Sequence, residues 1–541
     1  MPCSCCRRIS VFLFALAGLS SLPSLSAQHQ EPQHEMTTPQ APTRKVEPIP
    51  LYTVGLGPFT RPISSKNAEA QAYFNQGFQM MYAFAKMEAV RSFREATLRD
   101  PACAICFWGE AWAWGSYLNG PMSSADSPMA YAAIQKAISL KAQATEKERA
   151  FIDAMSVRYV EKFDSAKRVD QDRAYAEAMR KLSERYRDDL DAATLYGDAL
   201  FLLEPRRGTR DLNSASVKKL HAVLEGVLRK DIKHPGACHL YVHATESTTA
   251  PGKAEPCSEF LGDSIPGASH INHMPSHTWN EIGRWGDSVR ANLQAWHSDL
   301  KAAVGEGFAI YPEHNLHMLA FAASMDGQGA VAIQAGKDYA KRTNDTIYHV
   351  LTLVRFGRFD EIAAVTQRPK AEVSGGIWDF AQGYALLRTK GAAEARPELD
   401  KVLKTAASSK AMFRGHSAQR ILGTLGGILE GEVLLKEGDV SKAIDALERA
   451  VKLEDEIEYD EPEPLPFSAR HWLGAALLEA RRPGDAERVY REALADHPNN
   501  GWSLMGLKQA LAAQGKKTAD VERDLEKSWA RSDTWLRSSR F

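Results

Sequence analysis

Seven of the chain's 16 histidines fall in three short runs between residues 239 and 317: His239 and His243; His270, His273 and His277; His314 and His317. Imidazole ligates Zn, Cu, Fe and Ni, binds anions, and acts as a general acid or base near neutral pH. Within the runs the spacings are three, four or seven, which on a helix keep side chains on one face. His239, His243 and Glu246 therefore make one ridge, His270, His273 and His277 a second, and His314 with His317 a third. Helix axes pack ~8–10 Å apart, close enough for side chains of two or three helices to meet at one ion. A carboxylate such as Glu246, Glu281 or Glu313 would complete the shell. The expected metal set is His239, His243, Glu246, His270, His273, His277, His314 and His317, holding Zn, Cu or Fe. Pro275, inside the central run, bends that helix or offsets its start, so the register of His277 stays open.

The N-terminus reads as an address. Arg7 and Arg8 precede an apolar run from Ile9 to Leu22, and small or polar residues follow to Ala27, the pattern of a secretory signal peptide over residues 1–27. That run is shorter than the ~20 apolar residues of a membrane span. The expected mature protein is exported, periplasmic or secreted, with no membrane span. Residues 28–67 are expected to form a flexible lead-in, because Gln, Pro, Thr and Glu dominate its first part without apolar periodicity. Cys103, Cys106, Cys238 and Cys257 remain after processing and are disulfide candidates, with Cys238–Cys257 able to staple the loop between two histidine runs. Their pairing is open at this stage. No histidine follows Cys106, which excludes covalent haem attachment there.

A net charge of -1 with 25% charged residues gives no basic field to attract nucleic acid. No phosphate-binding glycine loop, nucleophile elbow or His-Glu-x-x-His pair is present, so neither a nucleotide nor a familiar catalytic device is expected. Whether the protein is an enzyme stays open.

The elements that must carry the histidines are repetitive. Tyr73, Gly77, Ala89, Phe93, Ala96 and Pro101 mark a helix, a short turn, a second helix and a stop. The same grammar returns at Trp472, Gly474, Ala486, Tyr490, Ala493 and Pro498, and less completely at Gly431, Ala443, Leu447 and Ala450. It resembles the tetratricopeptide repeat (TPR) family, whose period is about 34 residues. Gly283, Gly327 and Gly357 mark inter-helix turns of further repeats. The expected fold is all-α, a right-handed superhelical solenoid of helix-turn-helix repeats: N-terminal repeats over 68–235, central His-rich repeats over 236–335, C-terminal repeats over 336–541. The acidic segment from Asp455 to Pro466 is expected to be a solvated loop between repeats, the other reading being a lip over the groove.

In TPR proteins the second, fifth and ninth positions of each first helix line a concave groove. The resemblance puts His270, His273 and His277 at those positions of one repeat, His314 and His317 at the second and fifth of the next, and His239 and Glu246 at the second and ninth of the one before. It likewise allows Trp108 and Trp112 to line the groove, with Asn119 at its edge; the other reading of tryptophans at helical spacing is a core face. The chain also resembles a group of bacterial exported TPR proteins with the run His-x-x-His-Met-Pro-Ser-His, here His270 to His277. The expected function is a histidine-rich groove binding a transition metal or small ligand; the other reading is a non-catalytic scaffold for a peptide or protein partner.

Overall fold

The computed structural model describes residues 46–205 and 208–541. The expected signal peptide and the part of the expected lead-in before residue 46 lie outside the described residues. Helices follow one another in antiparallel pairs, from Ala68–Tyr82 with Lys86–Arg99 to Gly501–Ala513 with Ala519–Ser528, and the described strands are one two-residue hairpin, Met412–Phe413 with His416–Ser417. The architecture is an all-α superhelix of helix pairs. Among the described residues no helix is long and apolar enough to cross a membrane.

The pairs close because small residues sit where aromatic rings must approach. A Cβ on Gly77 would lie 2.9 Å from the ring of Phe93, and one on Gly506 would lie 2.1 Å from the ring of Tyr490. Each ring fills a notch that any larger residue would occupy. The turns at Gly283, Gly327 and Gly357 have φ of +73°, +72° and +64°, left-handed values that favour glycine. Helix starts are tied down by side chains: Asn67 accepts from the amides of Glu69 and Ala70, and Thr145 with Glu148 forms a capping box.

The described part of the expected lead-in, residues 46–67, has its backbone hydrogen-bonded to the first helix. It is an extended strap held along the first helix by two buried glutamines. Gln76 Oε1 accepts from the amide of Tyr52 at 2.8 Å, and Gln79 Oε1 accepts from that of Gly57 at 2.7 Å while its Nε2 donates back to Gly57 O. A peptide with no sheet or helix of its own thus finds partners for its backbone groups.

The C-terminal segment turns back on the central repeats. Trp285 Nε1 donates to Pro498 O, Trp502 Nε1 donates to Ser324 O, and Arg531 pairs with Asp326 at 2.6 Å. The acidic segment from Asp455 to Pro466 is likewise not a solvated loop. Pro462, Pro464, Leu465 and Pro466 are buried, and Arg414 grips Asp460 through two nitrogens at 2.6 and 2.8 Å. Prolines and a buried ion pair give this polar stretch enough contacts to order it.

One buried network sets the position of the first histidine helix, Pro235–Glu246. Asp191 accepts from Arg61 Nη1 at 2.5 Å, from the Tyr82 hydroxyl at 2.6 Å and from His234 Nε2 at 3.2 Å. His234 Nδ1 in turn accepts from the amide of Ala237 and caps the helix. Burial alone would raise the Asp191 pKa, but His234 and Arg61 overcome it and hold it at about 2, below its ordinary 3.8. A carboxyl whose folded-state pKa is depressed stabilises the fold fully above its unfolded pKa and loses that contribution as pH falls through the folded one. Asp191 is therefore expected to contribute about 2 kcal/mol at neutral pH, lost between pH ~4 and ~2. Asp191→Asn should remove both that contribution and its acid sensitivity, read as faster hydrogen exchange in helices 190–201 and 235–246 at pH 7.

Candidate functional site

The three histidine runs ride on adjacent helices: Pro235–Glu246, the broken helix Ser269–His273 and Pro275–Glu281, and Pro312–Met325. Pro275 interrupts the middle one, and Met274 between the two parts keeps right-handed helical angles (φ -51°, ψ -37°). His273 and His277 consequently stay on one face. The starts of the second and third helices are clamped together. Ser269 donates its amide to Phe308 O, Phe308 donates to Gly267 O, and the Ser269 hydroxyl accepts from the amide of Ile310. Tyr311, at φ +56°, then swings the chain into Pro312 and brings His314 against His273.

Six of the seven imidazoles gather into two neighbouring triads, His239, His243 and His270 in one, His273, His277 and His314 in the other. In each, the ligating atoms lie within 4.8 Å of one another. All but the half-buried His314 are at most 3% exposed. Burial, followed by the neighbouring imidazoles, holds His239, His270, His273 and His314 well below the ordinary histidine pKa. These rings are neutral, the form that ligates metal.

Four rings have Nδ1 tied to an acceptor. His239 Nδ1 donates to Tyr82 O at 2.6 Å, His243 Nδ1 to Glu246 Oε1 at 2.8 Å, His277 Nδ1 to Glu246 Oε2, and His273 Nδ1 to Asn292 Oδ1 at 2.7 Å. The Asn292 amide is oriented by its own Nδ2, which donates to Ser288 O. A neutral imidazole with its proton on Nδ1 carries a lone pair on Nε2. Yet the Nε2 atoms of His273 and His277 face each other at 2.7 Å, and His314 Nε2 stands 3.0 Å from that of His273. In their neutral, Nδ1-protonated forms His273 and His277 would bring acceptor against acceptor at the middle of the triad. In the other triad, His239 Nε2, His243 Nε2 and both nitrogens of His270 are buried without a hydrogen-bond partner.

Glu246 is at the centre in a different role from the expected one. Both its oxygens accept from imidazole Nδ1 atoms, one from each triad, so it orients ligands rather than standing among them. Burial would raise its pKa, but His277 and His243 outweigh burial and keep it ionised. His317 leaves the cluster: its ring stacks on Tyr348 at 3.9 Å between centroids and belongs to neither triad. Of the other two expected carboxylates, Glu313 pairs with Arg342, and Glu281 lines a cavity beside the cluster.

That cavity, of about 620 Å³, lies between the central repeats and the acidic loop, and His277, Glu281, Tyr459, Glu461, Glu463 and His497 are among its walls. Burial and then Glu463 push Glu281 up to about 8. Burial alone would lower His497, but Glu463 and Asp496 push it up to about 10, which favours an imidazolium paired with these carboxylates.

Trp108 and Trp112 do not line a groove. They are 1% and 3% exposed inside the N-terminal core, where Trp112 meets Phe78 at 4.8 Å and Trp108 meets Phe151 at 5.5 Å. Their helical spacing is that of a packing face. Asn119 sits half-buried in the tight turn between Tyr117 and Gly120, whose Tyr117 hydroxyl touches that of Tyr311 at 2.7 Å. Cys103 is bonded to Cys106, and Cys238 to Cys257. The second bridge joins the first histidine helix to the helix Glu255–Ser264.

Several residues at the site carried no recognisable signal in the sequence. Asn292 and Tyr82 are ordinary residues of their helices until folding aims them at His273 and His239. Phe84 covers the first triad, with its ring 4.0 Å from that of His239, 5.7 Å from His270 and 5.9 Å from His243. It does so at φ +60°, and Tyr311 stands 5.1 Å from His270 at φ +56°. Left-handed backbone at a bulky residue costs of order 1–3 kcal/mol and is found where surrounding structure demands it.

No family model matches the chain, and no curated protein matches it in sequence. Among solved structures it is similar to the Cut9–Hcn1 hetero-tetramer of the APC/C, at 14% identity and a TM-score of 0.30, over 85% of this chain and 79% of that one. It is similar to yeast Tom70 at 12% identity and a TM-score of 0.31, over 86% of this chain and all of that one. The TPR domain of P58(IPK) gives 12% identity and a TM-score of 0.22 over the same 86%. None of these likenesses bears on the histidine cluster.

The double role of Glu246 yields a test that needs no ligand. Glu246→Gln keeps one acceptor but turns an amide donor toward the other Nδ1–H, leaving a buried donor unpaired. A loss of about 1–3 kcal/mol in denaturant unfolding is expected. Unchanged stability would contradict the orienting role.

Proposed function

We propose that this protein holds a transition-metal ion in the buried histidine cluster of its helical-repeat scaffold. The observation that carries the reading is the contact between His273 Nε2 and His277 Nε2 at 2.7 Å, when both rings already donate from Nδ1, to Asn292 and Glu246. Two lone pairs that close repel unless a proton or a metal ion lies between them, and a proton joins two nitrogens where a metal ion joins three. His314 Nε2, 3.0 Å from His273 Nε2, supplies a third donor to the same point. Nitrogens on one tetrahedral ion at ~2.0–2.1 Å are ~3.3 Å apart, near these spacings. Hydrogen bonds from the far ring nitrogen to a carboxylate or carbonyl are the usual support of a ligating histidine.

The donor set selects the kind of ion. Neutral imidazoles suit Zn, Cu, Ni and Fe, whereas Mg and Ca take oxygen ligands. Three protein ligands leave a coordination position open, the arrangement of metal sites that meet a further ligand. His277 lines the cavity, which supports access from that side. A protein-interaction role, to which the repeat scaffold is suited, belongs to surfaces other than this buried cluster.

Protein purified without chelators should contain a transition metal by elemental analysis. His273→Ala is expected to lower that content by half or more, while His297→Ala, on the exposed face of its helix, leaves it unchanged. Wild-type protein without metal, or a His273→Ala variant with its full content, would overturn the reading.

A further inference from the structure

Building on that metal reading, we infer that the cluster holds two transition-metal ions, one ligated by His239, His243 and His270, the other by His273, His277 and His314. The first triad has its own claim to an ion. His239 and His243 use Nδ1 on the Tyr82 carbonyl and Glu246, and their Nε2 atoms are buried without partners. His270, 1% exposed, has no partner for either nitrogen. Buried polar atoms are almost always paired, and an orphaned group calls for a specific explanation. Here the orphans converge from two helices on one place, with Phe84 closing it from above.

A single ion does not serve both triads. Two nitrogens on opposite sides of an ion at ~2.1 Å are at most ~4.2 Å apart. No cluster of ligating atoms within 4.8 Å draws on all six histidines; among the described residues the sets made of histidine alone are the two triads. The two are nonetheless adjacent, since the His243 and His277 rings stand 5.2 Å apart and those of His270 and His273 stand 5.6 Å apart. Glu246 ties them together by orienting His243 in one and His277 in the other. A third convergence, of His243, Glu246, His277 and Glu461, is this orienting device and not another ion site. In it Glu246 already accepts from His243 Nδ1 and His277 Nδ1. Glu246, with Glu461 at 3.8 Å from His277, brings negative charge to a pair of buried dications.

Chelator-stripped full-length protein titrated with Co(II), followed by its visible absorption, should keep gaining signal up to two equivalents. Zn(II) reconstitution with elemental analysis should also give two ions per chain. The variants His239→Ala/His270→Ala and His273→Ala/His314→Ala should each keep one, with circular dichroism reporting whether they fold. A break at one equivalent in the wild type overturns the pair and spares the metal reading. Absence of binding overturns both. Because the wild-type titration decides between these outcomes alone, misfolding of a variant leaves the test intact.

Discussion

A buried imidazole has two ring nitrogens, and folding must find something for each of them to do. Around the central helices of this protein the outer nitrogens are provided for: a main-chain carbonyl, a carboxylate and an amide oxygen take the Nδ1 protons of His239, His243, His277 and His273. That assignment dictates the rest of the site. With Nδ1 protonated and the rings neutral, the inward Nε2 atoms of these four rings are acceptors, and it is on them that the proposed cation would sit. The strap over the first helix, the Asp191 network, the clamp between Ser269 and Phe308 and the ordered acidic loop all hold those rings in place.

Much of the surrounding structure is explained by the cost of holding such a cluster. Phe84 and Tyr311 keep left-handed backbone to wall the first triad. Neither conformation is relieved by a glycine, although glycines occupy the turns at Gly283 and Gly327, where the chain merely reverses direction. The scaffold therefore separates two kinds of position. At ordinary repeat turns, residue choice follows backbone need; at the cluster, side-chain placement overrides it. Asp191 reaches the same site indirectly, because its partners Tyr82 and His234 are the residue whose carbonyl holds His239 and the cap of the helix that bears it.

The sequence made the helical repeats legible because close helix contact requires small residues opposite rings, and Gly77 with Phe93 or Gly474 with Tyr490 keep that spacing. The histidine ridges were legible for the same reason: spacings of three, four and seven survive as a shared face, even across Pro275. What spacing does not carry is rotation and long-range closure. His317 lies only three residues from His314, yet its ring stacks on Tyr348. Trp108 and Trp112 have the spacing of a groove lining and turn into the core. The partners that fix the histidine tautomers come from far along the chain, Tyr82 from 157 residues before His239 and Asn292 from 19 after His273. The acidic segment looked solvated by composition, and it is ordered by Arg414, which repeat grammar does not associate with it.

The central claim is that the inward nitrogens of these histidines are a ligand set. X-ray absorption on the metal-loaded protein reads that set directly, through the identity and distance of the atoms bound to the ion. The account predicts a shell dominated by imidazole nitrogen at ~2.0–2.1 Å, with the outer-ring scattering characteristic of histidine and no sulfur. A shell made mainly of oxygen, or one containing cysteine sulfur, would contradict it.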